Sequence, residues 1–354
     1  MVTYIIRRLL LVPVLLFGVT VLIFAMLQFL SPVERSALYV RDIPKNDKAI
    51  EGIIKRYGLD QPIYAQYWRW LVGTTDPVTG GRRGGIIFGD FGYSRVGSQE
   101  VAALIKARFP NTLDLTLWAI APVILVGIWM GVQAAVHHNG FIDQAARVFS
   151  IVGTSFPTFV FGLLMLLIFY ANMQWFPPGR LSDWANAVVT SNAFRSYTNL
   201  LTFDALLNGR FDVFWDALKH MILPILTLSY LSWATFLRVT RSSMLEVLRQ
   251  EYVTTARAKG LPERDVIFKH AQPNAMIPVV TLAGFAVVGL MGGVVITETV
   301  FDFPGIGKAA AEAAAALDVI TVLGFALFNG VILIVANLVV DVLYAVVDPR
   351  VRLS

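Results

Sequence analysis

The sequence predicts an all-α, polytopic membrane protein with about six transmembrane helices and a large external loop after the first. Three observations point there. Hydrophobic residues fill 56% of the 354 positions against 15% charged, which is too apolar for a soluble globular chain. Six uncharged runs, 9–30, 115–136, 148–171, 221–237, 275–297 and 319–340, meet or approach the roughly 20 residues needed to cross a hydrocarbon core about 30 Å thick. The polar segments between them differ sharply in basic charge.

In chain order, the first run is too long for a signal-peptide core and lacks a small-residue cleavage pattern, so it reads as an uncleaved anchor. The loop that follows is too long for a plain connector. Within it, residues 49–73 read as helical stretches broken at Gly58 and restarted after Asp60 and Pro62. Tyr64, Tyr67, Trp68 and Trp70 form an aromatic group there, either an interfacial belt or a docking surface. The Gly-rich stretch 74–85 reads as a mobile excursion. Residues 101–114 read as a short helix ending at Phe109-Pro110, with Asn111 or Thr112 capping the second span. Pro122 allows a kink in that span, and Ser155, Pro157 and Gly162 allow bending or close packing in the third. Phe214, Leu218 and Met221 sit at helical spacing, which predicts a surface helix leading into the fourth span. That span continues past Arg238 towards Leu248, and His220 at its entry reads as an interfacial side chain. Phe303-Pro304-Gly305 predicts a sharp external turn into an Ala-rich helix at 309–317. Asp341 is expected near the cytoplasmic face or bonded within the bundle, because an acid at the bilayer centre costs about 2.5–3.5 kcal/mol.

Topology and chemistry follow from charge and residue type. With an even number of spans both ends share a side, and the short segments there hold eleven Lys and Arg, while the short loop opposite holds Lys308 alone. Both termini are therefore expected in the cytoplasm and the two long loops outside. The basic balance reports this topology and not a nucleic-acid partner. No Cys is present, which excludes disulfides, iron–sulfur clusters and thiolate metal sites. An intramembrane hydrolase built on Gly153-Thr154-Ser155 lacks a base, since His137, His138, His220 and His270 all fall outside the six runs. His137-His138 reads as a solvated turn. No catalytic, metal or cofactor-binding residue is assigned to this chain. The text PGIGKAA fails as a phosphate-binding loop, so any ATP is hydrolysed on another chain. An ion-coupled carrier is the weaker alternative, because Asp114, Arg238 and Asp341 stand only at the ends of the runs.

One long polar segment, 241–278, lies between two membrane-length runs and is dense in basic residues. It reads as a cytoplasmic docking loop. Ala256 and Gly260 lie four apart on one helical face, small enough for close approach of a partner helix. Gly260-Leu261-Pro262 reads as a helix stop, and Pro262, Glu263 and Asp265 suit the start of a second short helix over 263–271. Two short helices joined by a bend make a compact knob. Thr254, Thr255, Ala256, Gly260 and Pro273 are spaced like the E-A-A-x3-G-x9-I-x-L-P loop by which permease subunits of bacterial and archaeal ABC importers engage their ATPases. The texts QEYVTTARAKGL, GDFGYS at 89–94, DALKHMILPILTLS, ETVFDFPGIGK at 298–308 and NLVVDVLYAVVDPRVR resemble the dipeptide/oligopeptide/nickel branch of that family. Departures are Thr254 and Thr255 for Glu and Ala, His270 and Gln272 for Ile and Leu, an insertion around 74–85, and a missing proline in LDVITVLG.

The resemblance implies a type I ABC importer permease (MetI-like) fold with an N-terminal helix at 1–30, an extracytoplasmic region at 31–110 and a core permease domain at 111–354. It implies a coupling loop at 241–273, with Glu251, Thr255, Ala256, Arg257, Gly260, Leu261 and Pro273 meeting the ATPase. Expected partners are a homologous second permease, two ATP-binding subunits that hold ATP and Mg, an extracytoplasmic solute-binding protein and membrane lipid. The expected place is the plasma membrane of a prokaryote. The substrate is a di- or oligopeptide, with nickel or another small solute as the alternative, and the lack of a His or Cys cluster on the pathway favours peptides. Glu298 and Asp302 either line the outer mouth and attract a peptide amine or are solvated acids.

Overall fold

Residues 2–39, 46–75, 82–292 and 294–347 are described by a computed structural model and fall into two units. The first unit comprises residues 1–109 and 305–338. Its N-terminal helix α1 (Val2–Leu27) is followed by α2 (Asp47–Tyr57), which starts where the Asn46 side chain accepts from the Lys48 N–H and stops at Gly58, φ +64°. Only Gly adopts that left-handed stop without strain. Directly after Pro62, α3 (Ile63–Val72) begins. Tyr67 and Trp70, three apart on α3, turn onto Phe24 of α1 with ring centroids 5.2 and 5.5 Å away, and the Tyr67 hydroxyl pairs with Thr20 at 2.9 Å. Tyr64 and Trp68 lie on the other face and are exposed. The aromatic group expected to act together, as a belt or as a docking surface, is therefore split between core and surface, with Tyr67 and Trp70 turned inward and Tyr64 and Trp68 outward.

The ends of the stretch expected to be mobile are ordered: β1 (Gly73–Thr75) pairs antiparallel with β2 (Arg82–Gly84). Its middle, 76–81, lies outside the described residues. A second ribbon, β3 (Tyr93–Ser94) with β4 (Gln99–Glu100), leads straight into α4 (Val101–Val136). Val101, Leu104 and Ile105 pack with Ile306, Ala309 and Phe325 in one core of this unit, and Ile23, Leu27, Trp70, Ile320 and Leu323 form another.

The second unit comprises residues 110–304 and 339–354. Here α4 runs on through Pro110 and Pro122. Its 36 residues span about 54 Å at 1.5 Å each. The separate short helix and cap expected at 109–112 do not form. Asn111 Nδ2 donates instead to the Pro304 carbonyl (3.0 Å) and Thr112 Oγ1 to Glu298 (2.7 Å). With both candidate caps committed to tertiary bonds, the helix rides over the proline, as membrane helices do where neighbours re-satisfy freed groups.

The uncharged run 148–171 is not one straight span. It is divided between α5 (Phe141–Ser155) and α6 (Thr158–Asn172), bent by 103°. Phe156 takes an extended conformation (φ −91°, ψ 126°) before Pro157, which supplies no N–H and disfavours helix in the residue ahead of it. The second long loop folds into α7 (Asp183–Val189) and α8 (Leu201–Leu207). Buried Asp114 of α4 pins this loop by accepting from Arg180 and from the Thr202 N–H and hydroxyl. The amphipathic entry, the fourth run and its extension past Arg238 form one helix, α9 (Phe211–Val247). After it come α10 (Glu251–Ala258), α11 (Glu263–Ala275), α12 (Ile277–Met291) and α13 (Val295–Val300). The fifth run is thus shared between two helices, and α12 joins α11 at a 57° bend. Among the described residues four helices are long and apolar enough to cross a membrane, and up to six if each bent pair counts as one span.

In the first unit α14 (Ile306–Ala315) starts three residues before the expected helix, and α15 (Val319–Val347), whose residues from Val339 on belong to the second unit, closes the described chain. Asp318 caps α15 by accepting from the Thr321 N–H (3.3 Å) and hydroxyl (2.7 Å). The same carboxylate accepts from Ser94 Oγ and from the backbone N–H groups of Arg95 and Val96. Asp341 is half-buried at the end of the apolar stretch. Arg350 and Arg352, counted in the charge argument, lie outside the described residues.

Candidate coupling site

The knob is built from a helix stop and an inward apolar stripe. Ahead of α10, Gln250 is extended (ψ 150°); at its far end Gly260 takes φ +75°. The Gly260 N–H donates to the Arg257 carbonyl (2.9 Å) and the Leu261 N–H to the Ala256 carbonyl (3.4 Å), the paired bonds of a Schellman stop. Pro262 then opens α11, in which Val266–Ala271 is wound as a π-helix. The second helix therefore reaches Ala275, four residues beyond the expected end. Across the bend Arg257 makes a bidentate pair with Glu263 (2.7 and 3.1 Å), and the hydrogen bond to Glu263 holds the guanidinium pKa above its ordinary value. Both partners are well exposed, so the pair contributes at most about 1 kcal/mol.

What makes the knob rigid is its seat. Val253 and Ala256, three apart on α10, pack with Val266, Ile267 and Ala271 of α11, Met244 of α9 and Val132 and Ala135 of α4. Ala256 therefore faces its own chain. Its small side chain admits α11, not a helix from a partner, and only Gly260 of the expected small pair is at the surface. Glu251, Thr255, Arg257, Leu261 and Pro273 are exposed around it. Tyr252 (43% exposed) and Phe268 (49%) join Leu261 as large apolar side chains on an otherwise polar knob. The motif-based reading missed these two; their signal is an aromatic ring in a loop of charged residues.

Beside the seat, the carboxylate of Asp143 in α5 is fully buried. It accepts a bidentate pair from Arg241 of α9 (2.5 and 2.9 Å), a bond from Arg147 (2.9 Å) and one from the Asn139 N–H (3.0 Å). His137 and His138 are exposed in the turn after α4, as expected, and His138 Nδ1 lies 3.3 Å from this carboxylate. His220, expected as an interfacial side chain, is buried within its unit and bonds the Asp216 carbonyl at 2.9 Å.

At the candidate mouth, Glu298 is fully buried against Thr112, whereas Asp302 is exposed at φ +55°. Phe301 and Phe303 turn inward on either side of Asp302, and the Phe303 N–H donates to the Glu298 carbonyl, closing the turn (2.8 Å). No group of three or more His, Cys, Asp or Glu with metal-binding geometry occurs among the described residues.

Residues 123–353 match the family described as the binding-protein-dependent transport system inner membrane component, and residues 1–116 match the N-terminal part of such membrane components. The chain belongs to this permease family. The family's fold is MetI-like, and the chain is a multi-pass membrane protein. Among relatives of the permease, the "Probable D,D-dipeptide transport system permease protein DdpB" of Escherichia coli K12 is 38% identical over 307 residues, 86% of this chain and 85% of that protein. The oligopeptide transport system permease protein AppB of Bacillus subtilis 168 is 35% identical over 353 residues, covering 99% and 100% of the two chains. The glutathione transport system permease protein GsiC of Salmonella paratyphi A is 33% identical over 354 residues, 99% of each. The likeness first seen in a few loops thus runs the length of the permease.

Proposed function

We propose that this permease forms half of the translocation pathway of an ATP-driven importer of di- and oligopeptides. The observation that carries the reading is the knob of α10 and α11, a rigid, Gly-stopped two-helix unit seated on α4 and α9 with exposed aromatic rings. A joint of this kind passes on movement that a floppy loop would absorb. In the proposed cycle, ATP and Mg bind on two separate ATPase subunits, closure of those subunits carries the knob, and the spans rock to accept peptide from an extracytoplasmic solute-binding protein. A second, homologous permease supplies the other half, and this chain has no enzymatic role of its own. The knob and both termini lie in the cytoplasm of a prokaryotic cell, a reading supported by the basic charge of the segments on that side. The peptide substrate is supported by the printed activities of the relatives.

The test is uptake into proteoliposomes that contain the purified complex and its binding protein. ATP-dependent accumulation of a labelled dipeptide, absent with a non-hydrolysable nucleotide, is the expected result. Accumulation of nickel without peptide, or uptake that follows an ion gradient without ATP, would overturn it.

A further inference from the structure

The break between α5 and α6 places unsatisfied backbone where lipid cannot meet it. It lies inside a stretch from Val148 to Gly179 that has no charged residue, the composition of a membrane-embedded segment. The C-terminal carbonyls of α5 are orphaned by the extended Phe156 and by Pro157. One of them, Val152, is satisfied by the Tyr230 hydroxyl at 2.9 Å. The carbonyls of Gly153, Thr154 and Ser155 have no protein partner among the described residues, nor do the N–H groups of Phe156, Thr158, Phe159 and Val160. The nearby hydroxyls do not help, because Thr154 and Ser155 donate back to the carbonyls of Ser150 and Ile151. The break is nevertheless held firmly: the Tyr230 ring stacks on Phe161 of α6 at 3.9 Å and meets Phe149 of α5 edge-on at 6.0 Å. Thr154, Ser155, Phe156 and Pro157 are all exposed at the surface of the unit.

Backbone groups left bare in hydrocarbon are strongly disfavoured, and irregular backbone in such a segment persists only where it is buried in protein or lines a water-filled cavity. A partner protein would have to match three acceptors and four donors; water does so with no matching surface. We infer that the α5–α6 break, centred on Ser155 and Phe156, lines the aqueous part of the substrate pathway. Its free carbonyls and N–H groups face the backbone of the passing peptide, and Phe156 and Phe159, both exposed, offer apolar wall to its side chains. This inference rests on the proposed peptide import for the identity of the solute, but its water access is measurable without transport.

Because the chain has no Cys, label found on its own separated band reports only the introduced thiol. Ser155→Cys, Thr158→Cys and, as control, Leu15→Cys on the exposed face of α1 are introduced singly, and the assembled complex is reconstituted in lipid nanodiscs open to both faces. Reaction with a charged, membrane-impermeant maleimide is then timed, with peptide uptake by the unsubstituted complex measured in parallel in sealed proteoliposomes. A thiol in apolar surroundings has a raised pKa and little reactive thiolate, so Ser155→Cys is expected to react about tenfold or more faster than Leu15→Cys. Thr158→Cys decides the matter should the Ser155 variant fail to assemble. Reaction no faster than at Leu15 would overturn the inference while leaving peptide import intact. Fast reaction in a complex that imports no peptide would keep the aqueous break and remove the proposed substrate.

Discussion

At Gly260 a single backbone angle sets the shape of the knob. A Cβ there would meet nothing within 4 Å, so crowding is no obstacle; the φ of +75° is. Gly260→Ala is expected to cost about 1–2 kcal/mol at the bend. Membrane insertion should be unchanged and peptide taken up per ATP hydrolysed should fall several-fold; an unchanged ratio in proteoliposomes would count against the knob as a force joint. Asp318 is the corresponding residue of the first unit. Burial pushes its pKa up, but hydrogen bonds from Thr321, from the Val96 and Thr321 N–H groups and from Ser94 outweigh this and hold it below the usual carboxylate range. A depressed folded-state pKa stabilises the fold fully above the unfolded value and progressively less as pH drops through the folded one. Thermal stability in detergent should therefore decline below about pH 4, the unfolded-state Asp value. Asp318→Asn should remove that acid-dependent part and cost about 1–3 kcal/mol at neutral pH by leaving donors unpaired. A variant with the acid profile of the parent would contradict this role.

At the scale of the elements, the two faces of α10 make opposite demands. Ala256→Leu forces three carbons into a filled core and should destabilise the permease by about 1–3 kcal/mol, read as a lowered unfolding temperature. Tyr252→Ala touches only the outer face, so stability should hold within about 0.5 kcal/mol. ATPase recovery in pull-downs should nevertheless drop, by about 30-fold if the ring is a hot spot of about 2 kcal/mol. Equal losses of stability in both variants would erase the distinction between seat and docking face. Asp143→Asn leaves Arg241 without its buried counter-charge and should cost about 3–5 kcal/mol, detected as early unfolding of purified permease. Stop signals such as Gly58, Gly260 and Pro262 were legible because each acts through its own backbone angles. The direction of Ala256 was not, since an alanine on a helix carries no mark of whether its neighbour is the same chain or another. Prolines were ambiguous for a related reason. Pro110 is tolerated inside α4 while Pro157 breaks its run, and the difference lies in the tertiary partners of Asn111, Thr112 and Tyr230.

For the molecule as a whole, hydropathy located all six apolar stretches, because burial in hydrocarbon is decided residue by residue. It could not show that the third is a pair of helices bent by 103°, or that the fifth opens at a 57° bend from α11, since a bend depends on what surrounds it. Buried polar anchors far apart in sequence, such as Ser94 with Asp318 and Asp114 with Arg180, left no periodic trace. The family likeness, by contrast, was readable from short loops and extends over 99% of the chain in the Bacillus subtilis relative. The central claim is that this permease works as one part of an ATP-driven complex. The direct measurement is affinity purification of the chain from its native membrane in mild detergent, with identification of the accompanying proteins and an assay of ATP hydrolysis. A second permease of about six spans, ATPase subunits carrying phosphate-binding loops and nucleotide hydrolysis by the purified complex are the result this account requires. Recovery of the chain alone, without ATPase activity, would contradict it.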